Sequence, residues 1–150
     1  MTQTDKLLKI HLLLPFIWMV VIFIFSQQPA SISSGQSNVF VEQLHHIIPS
    51  IDQQLLTFII RKSAHIFAYF ILGILLFNAL WRVELRKLPF DRPIMSSIII
   101  CTLYAASDEL HQLFISGRSG EVRDIIIDSI AASIGVVLIG YIYKHLKVAR

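Results

Sequence analysis

Side chains able to do chemistry recur at helical spacing in three apolar stretches of the chain. They are Lys62 with His65, then Asp108 with His111 and Gln112, then Asp124 with Asp128. Residues three or four positions apart lie on one face of an α-helix, so each group predicts a polar stripe on its own helix. Histidine titrates near neutral pH, and a carboxylate can orient it or act as a base, so these residue types indicate proton transfer.

A glycine-flanked loop supplies cations for an anionic ligand. Residues 116–120 read SGRSG, and Arg123 follows them. A guanidinium group can donate two parallel hydrogen bonds to a phosphate or a carboxylate, and flexible backbone amides can add further donors. Arg118 and Arg123 are therefore candidate ligands of an anionic headgroup.

These residues divide into two predicted sets. The catalytic set, which would handle protons, is His65, Asp108, Glu109, His111 and Asp124. The substrate-binding set is Lys62, Gln112, Arg118, Arg123 and Asp128. An enzyme with these groups would perform acid–base chemistry on a lipid-linked or phosphate-bearing substrate, but the residues leave catalysis itself open. Their charges nearly compensate one another, which is also what a purely structural network would need.

A metal site is the weaker alternative for the same residues. The histidines and carboxylates offer enough nitrogen and oxygen ligands for a divalent ion. However, Glu109-Leu110-His111 is not an HExxH arrangement, and nearby cations would compete with a metal for the carboxylates. The sequence therefore predicts no metal and no cofactor.

The stretches that carry these residues are long enough to cross a bilayer. Of the 150 residues, 55% are hydrophobic and 15% are charged, which excludes an ordinary soluble domain. Apolar runs close to the roughly 20 residues of a transmembrane helix lie at 10–25, 60–81, 94–115 and 124–143. We expect a single all-α domain over residues 1–150, an integral membrane bundle of four transmembrane helices.

The distribution of Lys and Arg predicts the orientation of this bundle. Nine of these basic residues flank the ends of the predicted spans that lie on one side of the membrane, namely Lys6, Lys9, Arg82, Arg86, Lys87, Arg92, Lys144, Lys147 and Arg150. The other side has Arg61, Lys62, Arg118 and Arg123. Basic flanking residues stay in the cytoplasm, so both termini are expected there and the polar stripes face outward. Asp108 would lie about 21 Å along a span of about 33 Å, inside the outer leaflet.

Local patterns refine these elements. Phe40, Leu44, Ile47 and Ile51 fall at helical spacing in a polar stretch, which predicts a segment lying along the membrane surface. Capping-box spacing over residues 50–53 predicts that the second span begins before its apolar part.

Composition also argues against two functional classes. The net charge of +3 comes from residues that flank the spans rather than from a basic patch, so no nucleic-acid partner is expected. The single cysteine, Cys101, excludes an internal disulfide and any CxxC motif.

Several of these motifs together resemble the VanZ-like membrane proteins. Residues 25–29 read FSQQP, residues 61–65 read RKSAH, residues 108–114 read DELHQLF, and Gly117-Arg118, Asp124 and Asp128 follow. Two positions depart from the pattern: Gln27 stands where a second serine is common, and Ala131 where a glycine often follows the last aspartate. The resemblance implies a multi-pass protein of the bacterial plasma membrane. It also implies a link to resistance to the glycopeptide teicoplanin, since the family takes its name from a member linked to that resistance, but it implies no reaction.

Three functions stay open at this point. The leading hypothesis is a cell-envelope protein that binds, and could modify, an anionic lipid or lipid-linked precursor from the outer face. The second is a non-catalytic accessory protein whose polar residues hold the helices together. The third is a small lipid transporter, which would need a path across the whole bilayer and so favours a homo-oligomer.

Overall fold

The computed structural model describes residues 3–83 and 91–146, which form five α-helices and no strand. The helices are α1 (Gln3–Ser26), α2 (Ala30–Ile47), α3 (Gln53–Val83), α4 (Asp91–Gln112) and α5 (Val122–His145). The predicted all-α class is therefore confirmed.

Three of the described helices are long and apolar enough to cross a membrane. These spans are Lys9–Ser26, Gln53–Arg82 and Val122–His145, which coincide with three of the four predicted ones. Helix α4 does not join them, because charged residues near both of its ends lower its hydropathy. The fourth span and the orientation stay predictions. Four of the basic residues used for the orientation, namely Arg86, Lys87, Lys147 and Arg150, lie outside the described residues.

The boundaries of α3 and α4 differ from the predicted ones. Helix α3 does begin before its apolar part, but its first turn is capped by Asp52, whose Oδ2 accepts hydrogen bonds from the backbone amides of residues 54 and 55 at 2.9 and 3.2 Å. Helix α4 ends at Gln112 rather than at residue 115. Turn hydrogen bonds from the amides of Phe114 and Ile115 replace the helical ones, and Gly117 then takes a φ of +73°. Glycine adopts this left-handed conformation without strain.

The polar segment after α1 is helical, as its spacing predicted. Helix α2 includes Phe40, Leu44 and Ile47, all of them exposed, whereas Ile51 lies beyond its end. The expected position of this helix along a membrane surface stays a prediction.

Helix α3 is the centre of the bundle and touches the other four helices. It approaches α5 so closely that a Cβ at Gly73 would overlap the carbonyl oxygen of Ala132, and one at Gly135 would overlap that of Phe70. Such small residues let membrane helices pack backbone to backbone. This contact fixes the rotation of α3 against α5, and hence which of their polar side chains meet.

Candidate functional site

The polar stripes of α3, α4 and α5 meet at one end of the bundle, beside the C-terminal end of α1. We call this set the polar cluster. It comprises Ser26, Lys62, His65, Asp108, Glu109, Gln112, Asp124 and Asp128. Contacts between residues more than 60 positions apart hold it together. The predicted convergence of three helix faces is therefore present in the structure.

Asp108 joins α1 to α4 inside the polar cluster. The carboxyl group is buried, and its Oδ2 accepts hydrogen bonds from the Ser26 hydroxyl at 2.8 Å and from Gln112 Nε2 at 3.3 Å. Its Oδ1 is buried and has no hydrogen-bond partner among the described residues. One oxygen therefore holds the helices together, while the other makes no well-formed hydrogen bond within the described part of the chain.

Glu109 connects α4 to the loop that leads into α5. The carboxyl group is only 3% exposed, and its Oε2 accepts a hydrogen bond from the backbone amide of Glu121 at 3.0 Å. Gly120 packs against the same helix end, where a Cβ would overlap the Glu109 carbonyl oxygen. Glu109 thus positions the loop as well as contributing a carboxylate.

Two contacts connect α3 to α5. Lys62 forms an ion pair with Asp124, and its ammonium lies 5.5 Å from the centre of the Phe58 ring, within cation–π distance. One turn further along, His65 Nδ1 lies 3.4 Å from Oδ2 of the buried Asp128. A carboxylate in this position orients the imidazole ring and favours a proton on Nδ1.

Arg118 fastens the loop before α5 onto the end of α1. Its Nε donates to the carbonyl oxygen of Gln28 at 3.0 Å, and a terminal nitrogen donates to that of Phe25 at 3.2 Å. Burial lowers the pKa of Arg118, and the nearby charge of Arg61 acts in the same direction. The guanidinium group stays protonated, because free arginine titrates above about pH 12.

Two cavities adjoin the polar cluster and share Arg61, His65 and Arg118 as lining residues. The larger, of about 380 Å³, is walled mainly by apolar side chains of α1, α2 and α3, including Trp18 and Phe67. The smaller, of about 160 Å³, has a polar wall. An apolar chamber thus opens next to a pair of arginines.

The structure places the predicted site residues in three positions. Five of them line the smaller cavity, namely Lys62, His65, Gln112, Arg118 and Asp124. Three are buried beside it, namely Asp108, Glu109 and Asp128. The remaining two, His111 and Arg123, line neither cavity.

Those two residues have other neighbours. The His111 ring lies 4.8 Å from that of Phe23, and its Nε2 is buried without a partner among the described residues. Asp108, which the sequence suggested as its orienting group, instead bonds to Ser26 and Gln112. Arg123 pairs with Glu121 at 2.8 Å on the exposed surface.

Sequence reasoning missed Arg61 as a member of the binding set. It lines both cavities and, within the described part of the chain, makes no hydrogen bond or ion pair. A signal for it was present, since Arg61 and His65 are four residues apart and so share a helix face. Only the fold shows that this face meets Arg118.

Comparison with known proteins gives one match. A family model described as VanZ/LLP1 matches residues 11–143, a range that includes the whole polar cluster and the walls of both cavities. No curated protein and no solved structure gave a significant match.

Proposed function

The chain belongs to the VanZ/LLP1 family of membrane proteins, and from this premise we propose that it binds an anionic lipid or lipid-linked envelope precursor through Arg61 and Arg118. The observation that carries the proposal is the position of these two arginines. Both line both cavities, and their charges lie close enough to affect each other. Two guanidinium groups facing one space favour a phosphate, to which each can donate paired hydrogen bonds.

The carboxylates of the polar cluster do not neutralise this pair by direct contact. Arg118 donates to backbone carbonyl oxygens, and Arg61 has no bonded partner among the described residues. Lys62, by contrast, is already paired with Asp124. The two arginines therefore keep donors for an anion, whereas the lysine helps to hold the fold.

The larger cavity suits the apolar part of such a ligand. Its volume of about 380 Å³ falls in the range of roughly 300–1,000 Å³ that ligand pockets occupy. Its apolar wall runs from Trp18 and Ile22 to Phe67, and Ser26, Gln28 and the arginines form its polar part. A lipid would place its acyl or prenyl chain against the apolar wall and its phosphate between the arginines.

His65 is the group best placed to exchange a proton with a bound headgroup. It lines both cavities, and Asp128 orients its ring through the contact with Nδ1. His111 is less suited, because it packs on Phe23 away from both cavities. The proposed acid–base role therefore belongs to His65, with Asp128 as its orienting group.

We further propose that the polar cluster faces outward from a bacterial plasma membrane, in a bundle of four spans with both termini in the cytoplasm. Support comes from α4, which packs against α3 and α5 although it is more polar than they are. An outward site would face lipid-linked envelope precursors, so binding there would alter susceptibility to teicoplanin.

A lipid-binding measurement tests the proposal. The full chain in detergent is titrated with short-chain phosphatidylglycerol, with phosphatidylcholine and with inorganic phosphate. We expect Arg61→Gln to weaken phosphatidylglycerol binding about tenfold or more, which corresponds to about 1.4 kcal/mol. Arg123→Gln is the matched control and should bind as the wild type does. Equal binding by both variants, or equal affinity of the wild type for phosphatidylcholine, would contradict the proposal.

The second hypothesis, a non-catalytic accessory protein whose polar residues hold the helices together, has support of its own. Glu109 contacts the loop before α5, and Lys62 of α3 pairs with Asp124 of α5. Susceptibility to teicoplanin, measured in a deletion strain that carries Arg61→Gln, separates the two functions when membrane abundance is measured as well. Loss of the phenotype at normal abundance supports lipid binding. Loss of both in parallel supports the accessory function.

Transport is less well supported than binding. The end of the bundle opposite the polar cluster is packed with aromatic rings, where Phe77 lies 5.7 Å from both Trp81 and Tyr143 between ring centres. Both cavities described above lie at the other end.

A further inference from the structure

Three side chains of the polar cluster lie close enough together to bind one metal ion. One ligand atom each from His65, Asp108 and Glu109 lies within 4.8 Å of the others. Asp108 and Glu109 are both 3% exposed, and His65 is partly buried. Two neighbouring carboxylates in so dry a place are costly unless a cation compensates them.

Each of the three side chains contacts a residue outside this set through one of its oxygen or nitrogen atoms. Its second oxygen or nitrogen atom is therefore available to bind a metal. Asp108 Oδ2 accepts from Ser26 and Gln112, and Glu109 Oε2 accepts from the Glu121 amide. His65 Nδ1 faces Asp128. Metal ligands are typically fixed in this way by a second partner, above all a histidine whose other nitrogen meets a carboxylate.

Two buried polar atoms beside this set make no well-formed hydrogen bond. Among the described residues, these are Asp108 Oδ1 and the hydroxyl of the fully buried Tyr69, which lies close enough to Asp108 to interact with its carboxyl group. Buried polar atoms in native proteins nearly always have a partner, so unpartnered ones call for an explanation. An ion with its bound water would supply a partner to both.

We propose that His65, Asp108 and Glu109 bind a divalent transition-metal cation, with Zn²⁺ as the best fit. One imidazole nitrogen and two carboxylate oxygens suit Zn²⁺ better than Mg²⁺, which prefers oxygen ligands alone. In a tetrahedral zinc site, Zn–ligand distances of about 2.0–2.2 Å place the ligand atoms roughly 3.3–3.6 Å apart. The three ligand atoms lie within 4.8 Å of one another, so zinc binding would draw the side chains together by about 1 Å.

The sequence predicted that neighbouring cations would compete with a metal for these carboxylates, but no described Lys or Arg forms an ion pair with Asp108 or Glu109. Lys62 pairs with Asp124, and the hydrogen bonds of Arg118 go to backbone carbonyl oxygens. Arg118 lies within electrostatic reach of Asp108 and Glu109 but forms no ion pair with either, so the competition with a metal is weaker than the sequence predicted. The metal site stands on its own contacts and does not depend on the proposed lipid, but a His65 that binds zinc through its second nitrogen cannot at the same time exchange a proton with a headgroup.

Metal binding by the full chain tests the inference with the metal alone. The protein in detergent is stripped with a chelator, titrated with ZnCl₂ and analysed for bound zinc after gel filtration. We expect about one Zn²⁺ per chain in the wild type, and at least tenfold weaker binding in Asp108→Asn and in His65→Ala. His46→Ala is the matched control, because His46 is exposed and lies outside the polar cluster, and it should bind zinc as the wild type does.

A further variant distinguishes the loss of a metal ligand from unfolding of the protein. Glu109→Gln keeps a side-chain oxygen that can accept from the Glu121 amide but removes the negative charge, so it should keep the fold and the gel-filtration profile while losing zinc. The inference would be overturned if Asp108→Asn and Glu109→Gln bound zinc as tightly as the wild type does. It would also be overturned if the wild type held no more zinc than His65→Ala. Neither result would touch the lipid proposal, which is tested through Arg61.

Discussion

At the scale of single residues, Asp108 joins two helices through one oxygen. The Ser26 hydroxyl on α1 makes the shorter of the two hydrogen bonds to Oδ2, and both side chains are almost completely buried. Removing one partner of a buried polar group costs more than the bond itself, because the remaining group keeps its desolvation penalty. Ser129 is the opposite case, since its hydroxyl is buried without a partner among the described residues.

The two serines give a matched prediction of stability. Ser26→Ala should lower the free energy of unfolding by about 1–3 kcal/mol, because Asp108 loses its shorter hydrogen bond. Ser129→Ala should be neutral or slightly stabilising, since it removes an unpaired hydroxyl and alanine favours a helix. Unfolding in detergent followed by circular dichroism measures both. Equal losses in the two variants would show that the hydrogen bond to Asp108 contributes nothing.

At the scale of elements, helical spacing predicted which side chains share a face but not which faces meet. Lys62 with His65 and Asp124 with Asp128 were each identified as stripes, and the fold pairs them one to one. That pairing depends on the close contact of α3 with α5, which spacing does not encode. The partners of Arg118 were beyond prediction for another reason, because they are backbone carbonyl oxygens that carry no sequence signal.

Two glycines test the claim that the contact between α3 and α5 sets this pairing. Gly73→Ala should destabilise the protein by about 1–3 kcal/mol or more, since the new methyl group would overlap the Ala132 carbonyl oxygen. Gly35→Ala is the control in α2, where nothing lies within 4 Å, so helix propensity should stabilise the variant by about 0.5–1 kcal/mol. Thermal unfolding of both variants measures the difference. A Gly73→Ala protein as stable as the wild type would mean that the two helices are free to separate.

At the scale of the whole molecule, the two ends of the bundle differ in chemistry. One end holds the polar cluster and both cavities. The other holds packed aromatic rings and, at the ends of α3, α4 and α5, the basic residues Arg82, Arg92 and Lys144. Because basic residues that flank membrane spans stay in the cytoplasm, we predict from this asymmetry that the polar cluster lies at the outer face.

Cysteine labelling tests that orientation, and the native cysteine should contribute little or no labelling of its own. The native Cys101 is fully buried in the core and should not react with a membrane-impermeant maleimide. Ser116→Cys, in the exposed loop after α4, should label in intact cells, whereas Lys144→Cys, exposed at the end of α5, should label only after the membrane is permeabilised. The reverse pattern would put the polar cluster in the cytoplasm. The two arginines could then no longer meet a lipid-linked precursor outside the cell, although lipid and zinc binding in detergent would be unaffected.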